Sequence, residues 1–333
     1  MKVNIAVVGL GYWGPNLVRN FVTVPGASIT TVCDTNPATF QKIKPFSSIK
    51  TVRNINDVLR DKTIDAVAIA TPLSTHFILA KKAILAGKHV LLEKPMTQTS
   101  IQSQELIKLA EKNKRILMVG HTFIYSQAVR QIKKIIKRKD FGQVYYFDST
   151  RINLGILQKD SNVIWDLAPH DFSIINYLFD TKPISLLATG SHFVGKKYEE
   201  IAHIVIKYEN NINAYINLSW LSPVKIRSIF IGGSKKMIVY DDIQPSEKIK
   251  IYNKRIKTTE NNITPFSPAY RSGEIIIPNL EQKEALLTEI EHFVECIQMN
   301  KKPLTGGLEG LKVVKLLEIA SESLKTNLEV IIK

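Results

Sequence analysis

The chain has 333 residues, 44% hydrophobic and 23% charged, with 45 Lys and Arg against 30 Asp and Glu for a net charge of +15. That length suits two domains of the usual ~100–200 residues, and the composition is that of an ordinary soluble globular protein. No stretch approaches the ~20 apolar residues of a membrane span, and the two cysteines, Cys33 and Cys296, stand far apart, which offers no zinc framework and fits a reducing cytoplasm.

The basic residues are scattered in pairs, and the longest run, Lys137-Arg138-Lys139, ends a predicted helix, where cations suit the dipole. Because no basic helix carries interleaved aromatics, no nucleic-acid partner is expected. The charge reads as a solvated surface, or as a field that attracts anionic small molecules. Met1-Lys2-Val3-Asn4 leads straight into a strand with no h-region or cleavage site, so secretion is not expected and a cytoplasmic location is.

Lys2 to Val8 read as a strand. Gly9-Leu10-Gly11-Tyr12-Trp13-Gly14 follows, and then a helix from Pro15 to Thr23. This G-x-G-x-x-G pattern assigns Gly9 to a tight turn, Gly11 to close approach of a pyrophosphate and Gly14 to helix–strand packing, with the phosphates on the helix N-terminus. A second strand, Ile29 to Cys33, ends in Asp34, where the ribose-binding acid belongs. A carboxylate there accepts from a ribose 2′-hydroxyl and repels a 2′-phosphate. With no arginine at Thr35 or Asn36, the expected cofactor is NAD and not NADP.

Asn56 to Arg60 predict a helix capped by Asn54 or Asn56. Ala66 to Ala70 predict a buried parallel strand that ends at Thr71-Pro72-Leu73-Ser74-Thr75-His76. Ser74 or Thr75 is placed to cap the next helix, which Gly87 closes, and His76 is expected to face the ligand crevice beside Thr71 and Pro72. The strand His89 to Leu92 then meets Glu93-Lys94-Pro95. Pro95 stops that strand, and the two charges sit where open parallel sheets bind their ligands. A helix from Ser100 to Asn113 and a strand from Ile116 to Val119 complete at least five parallel strands. The expectation for residues 1–120 is an α/β, doubly wound Rossmann domain.

Beyond His121 the rhythm changes. A helix, Gln127 to Lys137, is followed by strands at Val144–Asn153, Ile184–His192, His203–Tyr208, Ile212–Ser219, Arg227–Gly232 and Met237–Asp241, with a turn at Asn210-Asn211. Ile256 to Ser272 read as a polar surface loop, and helices at Ala285–Met299 and Leu308–Thr326 close the chain. Residues 121–333 are therefore expected to form an α+β domain with a large, mainly antiparallel open sheet. Its exposed face is expected to pair copies into a homodimer or homotetramer.

Within that domain a predicted helix, Ile164 to Phe179, carries Trp165-Asp166-Leu167-Ala168-Pro169-His170-Asp171. Asp166 and His170 are four residues apart and share one face, which suits a general base beside a carboxylate. No third residue has metal-ligand spacing, so no metal is expected.

Taken together, the glycine motif with Asp34, the Glu93-Lys94-Pro95 tripeptide and Asp166-x-x-x-His170 resemble the glucose–fructose oxidoreductase/inositol dehydrogenase (Gfo/Idh/MocA) family over essentially the whole chain. The resemblance implies NAD(P)-dependent oxidation or reduction of a sugar or polyol hydroxyl. It implies Lys94 as the lysine of the tripeptide and His170 as the acid/base. The runs Gly11 to Phe21, Gly120 to Tyr125 and Trp165 to Asp171 are similar to the branch of nucleotide-sugar 3-dehydrogenases, which implies the 3-hydroxyl of UDP-N-acetylglucosamine as substrate. A free inositol or simple sugar is the alternative, and a non-catalytic dinucleotide sensor is a remote one.

The expected roles follow. His170 takes the hydroxyl proton, Lys94 stabilises the alkoxide and also touches the cofactor, Glu93 holds the nicotinamide ribose, and Asp166 orients His170. Tyr12 and Trp13 lie in the cofactor loop. Arg151 and Asn153 are candidates for the diphosphate or sugar, and Tyr125 is a further substrate candidate.

Overall fold

A computed structural model of the chain describes residues 2–155, 161–195, 197–257, 269–271 and 273–332. The chain divides into two compact units. The first is Met1–Ser126 with Lys283–Glu318, and the second is Gln127–Gln282 with Ile319–Lys333. The division expected near residue 120 omits the return of the chain: one of its last helices, and most of the other, belong with the N-terminal unit.

In the first unit, strands β1 (Val3–Val8), β2 (Ala27–Cys33), β3 (Lys50–Val52), β4 (Ala66–Ile69), β5 (His89–Glu93) and β6 (Leu117–Gly120) lie in the order β3-β2-β1-β4-β5-β6. All are parallel. This is the doubly wound order, and it reverses between β1 and β4, the position where such sheets take a dinucleotide. The helices α1 (Gly14–Thr23), α2 (Ile55–Arg60), α3 (Leu73–Leu85) and α4 (Ser100–Lys112) supply the crossovers.

Burial explains the near-continuous apolar runs: β4 is buried at every residue, as a strand covered on both faces must be. Its core joins Val8, Ile69, Val90, Leu92 and Val119 to Ala80, Ile84 and Leu106 from the crossover helices. Asn54 caps α2 by accepting from the Asn56 N–H, and Thr99 caps α4 through Gln102. Ser74 and Thr75 do not cap α3. They lie inside it, Pro72 holds the N-cap position with no side-chain bond, and Thr75 Oγ1 donates to the Pro72 carbonyl. The short strand β3 and the 3-10 turn Pro37–Ile43 had no sequence signal of their own.

In the second unit α5 (Gln127–Ile136) and α6 (Val163–Leu178) accompany β7 (Val144–Leu154), β8 (Pro183–Ser191), β9 (Ile201–Tyr208), β10 (Asn213–Ser219), β11 (Leu221–Gly233), β12 (Met237–Asp241) and β13 (Ile249–Tyr252). With β16 (Ile275–Ile276) and β17 (Val330–Ile331) they form a nine-stranded sheet, order β16-β13-β12-β11-β7-β10-β9-β8-β17. It is antiparallel except between β7 and β10. Asn210 and Asn211 both adopt positive φ between β9 and β10, the left-handed geometry that asparagine tolerates.

The loop expected over Ile256 to Ser272 is partly a hairpin, because β14 (Arg255–Lys257) pairs with β15 (Ala269–Arg271). Residues 258–268 and 272 lie outside the described residues. Period-2 alternation sorts the sheet: Phe147, Ser149 and Arg151 of β7 are buried, whereas Tyr146, Asp148 and Thr150 are partly exposed. On the partly exposed face Tyr215, Phe230, Val239 and Tyr252 add apolar and aromatic surface. The closing helices are α7 (Ala285–Met299) and α8 (Gly307–Thr326), and no helix among the described residues is long and apolar enough to cross a membrane.

Candidate active site

The carboxyl edge of the parallel sheet collects the residues that the motifs singled out. Gly9 has φ +93, and a Cβ there would stand 2.5 Å from the Ala70 carbonyl oxygen. A Cβ on Gly14 would meet the Gly9 carbonyl at 1.9 Å. A Cβ on Gly11 would meet nothing within 4 Å, so that position opens onto free space. Two glycines are therefore demanded by the fold, and the third leaves room for a ligand at the N-terminus of α1. That arrangement fits the pyrophosphate of NAD. Tyr12 is 82% exposed at the tip of the loop, and Trp13 is half-buried.

Asp34, at the end of β2, is half-buried. Its Oδ2 accepts from the Leu10 N–H at 2.7 Å and its Oδ1 from the Asn36 N–H at 2.8 Å. The carboxylate thus fixes the glycine loop, and each oxygen keeps a lone pair for a ribose hydroxyl. Lys42 braces the same loop, with Nζ donating to the carbonyls of Leu10 at 3.0 Å and Gly11 at 2.7 Å.

Thr71 and Pro72 follow β4 at this edge, Thr71 tied to Thr75 between hydroxyls at 2.7 Å. His76 corrects its expectation. It is 2% exposed, with Nδ1 2.9 Å from the Pro95 carbonyl oxygen and Nε2 2.9 Å from that of Thr71. Each ring nitrogen faces a backbone carbonyl, and a neutral ring donates to one of the two, so His76 is packed between the β4 and β5 loops and does not present itself to a ligand. Burial lowers its pKa and keeps it neutral.

Glu93 and Lys94 are half-buried at the end of β5, with the Lys94 N–H donating to Glu93 Oε2 at 3.3 Å. Glu93 leans over β6, where a Cβ on Gly120 would lie 3.1 Å from Oε1. Burial pushes the Glu93 carboxyl up to about 7, against the pull of the Lys94 charge, the Lys94 N–H and the Trp13 indole. His121, next after β6, is 1% exposed, and neither ring nitrogen has a hydrogen-bond partner among the described residues. Burial, with the Lys94 charge behind it, holds His121 down to about 3, so its ring is neutral.

Sequence reasoning missed Glu289 on α7. It is fully buried and accepts from Thr122 Oγ1 at 2.7 Å. One signal was available: an acid interrupts the apolar stripe Leu286, Ile290, Phe293 and Val294 at helical spacing. Tyr125, expected at the substrate, is a packed aromatic instead. It is fully buried with its hydroxyl 3.0 Å from Thr305 Oγ1.

In the second unit α6 begins at a cap made by Asn162, whose side chain accepts from the Trp165 N–H. Its interior Pro169 removes the N–H that would have bonded the Trp165 carbonyl. Asp166 and His170 are both half-buried on this helix, and Trp220 Nε1, at the end of β10, donates to Asp166 Oδ2 at 3.0 Å. That indole partner had no sequence signal, because only the fold brings β10 under α6.

Arg151 also departs from its expectation as a diphosphate ligand. Its Nε and one terminal N–H group meet Asp171 at 2.9 and 3.2 Å, Ser149 Oγ donates to the same carboxylate at 2.7 Å, and the pair is essentially inaccessible to solvent. The arginine pins β7 to α6. Asn153 remains half-buried on β7. Among the described residues no group of three His, Cys, Asp or Glu could hold a metal ion.

Residues 3–121 match the model of an oxidoreductase family described as having an NAD-binding Rossmann fold, and residues 129–239 match a GFO/IDH/MocA C-terminal domain. A UDP-N-acetylglucosamine 3-dehydrogenase of Acidithiobacillus ferrooxidans is 25% identical over 315 residues, spanning 94% of this chain and 95% of its own. Its crystal form superposes with a TM-score of 0.83 at 23% identity, covering 98% of this chain and 99% of that one, which shows a common fold. The NAD-dependent scyllo-inositol 2-dehydrogenase of Bacillus subtilis is also 25% identical, over 345 residues, 99% of this chain and 96% of its own. An oxidoreductase from Agrobacterium radiobacter, solved with NAD+, L-tartaric acid and magnesium, superposes with a TM-score of 0.82 at 18% identity, covering 99% and 98% of the two chains.

Proposed function

The chain belongs to the Gfo/Idh/MocA family of NAD-binding oxidoreductases, and from that premise we propose that it oxidises a sugar hydroxyl, the 3-hydroxyl of UDP-N-acetylglucosamine, to a ketone. The observation that carries this reading is the end-to-end similarity to the Acidithiobacillus ferrooxidans enzyme, in sequence and in fold. The +15 charge supports an anionic nucleotide sugar over a neutral free sugar or cyclitol. The equal identity of the inositol dehydrogenase favours a free cyclitol as the second reading.

NAD, when bound, supplies the hydride acceptor. The glycine loop and Asp34 hold and select the cofactor. Thr71, Pro72, Tyr12 and Trp13 border it, and Glu93 accepts from its nicotinamide ribose. Lys94 opposes the negative charge that develops on the reacting oxygen, where a positioned cation lowers the barrier most. His170 takes the hydroxyl proton, and Asp166 holds the ring while itself held by Trp220. Asn153 is the remaining candidate for a polar contact to the sugar. Cys33 and Cys296, free and buried, suit a reducing cytoplasm. Copies are proposed to associate into a homodimer or homotetramer through the partly exposed sheet face.

Appearance of NADH against a panel of UDP-sugars and inositols tests the assignment. Turnover with UDP-N-acetylglucosamine and none with inositols is the expected result, and the reverse selects the second reading. His170→Ala should lose ~10²–10⁴-fold in turnover while still binding NAD, and Lys94→Ala should lose turnover and some cofactor affinity. An active His170→Ala enzyme would remove the base from the mechanism.

A further inference from the structure

Two carboxyl groups, Glu93 half-buried and Glu289 fully buried, lie in the first unit near the end of β6, and they come from segments far apart in the chain. Glu93 leaves β5 and lies over Gly120. Glu289 enters on α7 and is fixed by Thr122, two residues after Gly120. Each has one oxygen, Oε1 in both, that is buried without a hydrogen-bond partner among the described residues. Burial, and after it the Glu93 charge, push the Glu289 carboxyl well above the usual carboxylate range. The groups that face the pair are Lys94 and Trp13 beside Glu93, Thr122 beside Glu289, and neutral His121, which feels Lys94. Both carboxyl groups meet the segment Gly120–Thr122, a negative charge on either one disfavours ionisation of the other, and buried unpaired acceptors are costly.

We propose that Glu289 is a positioning residue for Glu93: the two carboxyl groups share one proton, and protonated Glu289 hydrogen-bonds the Glu93 carboxylate directly or through one buried water. One proton would then satisfy both unpartnered oxygens. Glu93 would be held as an anion, in the orientation that accepts a ribose hydroxyl. The pair titrates as a unit, so its first ionisation belongs to both residues. This inference rests on reading Glu93 as a cofactor contact.

Two variants and a spectrum test it. Glu289→Gln keeps an acceptor for Thr122 and a donor for Glu93. Glu289→Leu is of similar size and donates nothing. A hydrogen bond to the charged form lowers a carboxyl pKa, so losing it raises the pH at which Glu93 ionises.

NAD affinity, followed by tryptophan fluorescence across pH, should strengthen through a midpoint near 7 in the wild type, as Glu93 ionises. The midpoint should stay in place in Glu289→Gln and rise by about one unit or more in Glu289→Leu. Binding of ADP, which lacks the second ribose, should not change. Coincident midpoints in the two variants would overturn the proposal. Infrared difference spectra at neutral pH should show a protonated buried carboxyl that Glu289→Gln abolishes. Absence of that band from the wild type would overturn the proposal even if Glu289→Leu does not fold. If NAD binding shows no midpoint in any variant, the cofactor role of Glu93 fails and the band alone decides whether the proton is shared.

Discussion

At the scale of single residues, chemical type indicated where a side chain would be and said little about what it would touch. Asp34, Glu93 and Lys94 sit at strand ends, and the identity of the strand fixes their place. His76, Tyr125 and Arg151 carry the chemistry of ligand contacts, yet each is taken up by the protein itself: His76 by the Thr71 and Pro95 carbonyls, Tyr125 by Thr305, and Arg151 by Asp171. Their partners are far away in sequence or belong to backbone, which no local pattern encodes. Besides the ribose contact proposed for it, Asp34 holds the Leu10 and Asn36 amides. Asp34→Ala should therefore weaken both NAD and NADP binding while narrowing the preference for NAD, measured as the ratio of the two Kd values. A wild-type preference for NADP would show that this carboxylate does not select the cofactor.

At the scale of elements, the three glycines of one turn separate by mechanism. Gly14→Ala forces a Cβ against the Gly9 carbonyl, and Gly9→Ala adds a left-handed φ to a clash with Ala70. Both should lower the melting temperature of the apoprotein by several degrees, since strain of this kind costs at least ~1–3 kcal/mol. Gly11→Ala meets no protein atom. It should leave apoprotein stability unchanged and weaken NAD binding by tenfold or more, for only the cofactor would clash with the added methyl. Thermal melts and NAD titrations of the three variants check this, and a Gly11→Ala protein with normal NAD affinity would displace the pyrophosphate from that loop. Helix α6 was legible from its apolar periodicity and its boundaries moved by one residue, whereas β3, three residues long, was not. A strand that short carries too few residues to show a period.

At the scale of the whole molecule, the nine-stranded sheet offers a face on which Tyr215, Phe230, Val239 and Tyr252 stay partly exposed. Apolar faces of that breadth usually mark a partner surface. Light scattering at working concentration should give a homodimer or homotetramer. A charge placed on that face, Val239→Asp on β12, should shift the chain toward monomer while leaving NAD binding intact. A wild-type monomer would leave that face without the proposed partner.

The sequence by itself determined the strand–turn–helix rhythm, the glycine loop, the acid that follows β2 and the switch from parallel to antiparallel architecture. Each of these is written in contiguous residues, through hydrophobic period, glycine placement or a charge following an apolar run. Only the tertiary structure decided that α7 returns to the N-terminal unit, that Glu289 is buried against Thr122, that Trp220 holds Asp166, and that Arg151 is occupied by Asp171. The physical reason is the same in each case. Burial and pairing depend on which distant segment arrives at a given place, and the ionisation of a carboxyl group is set by those neighbours and not by its place in the chain.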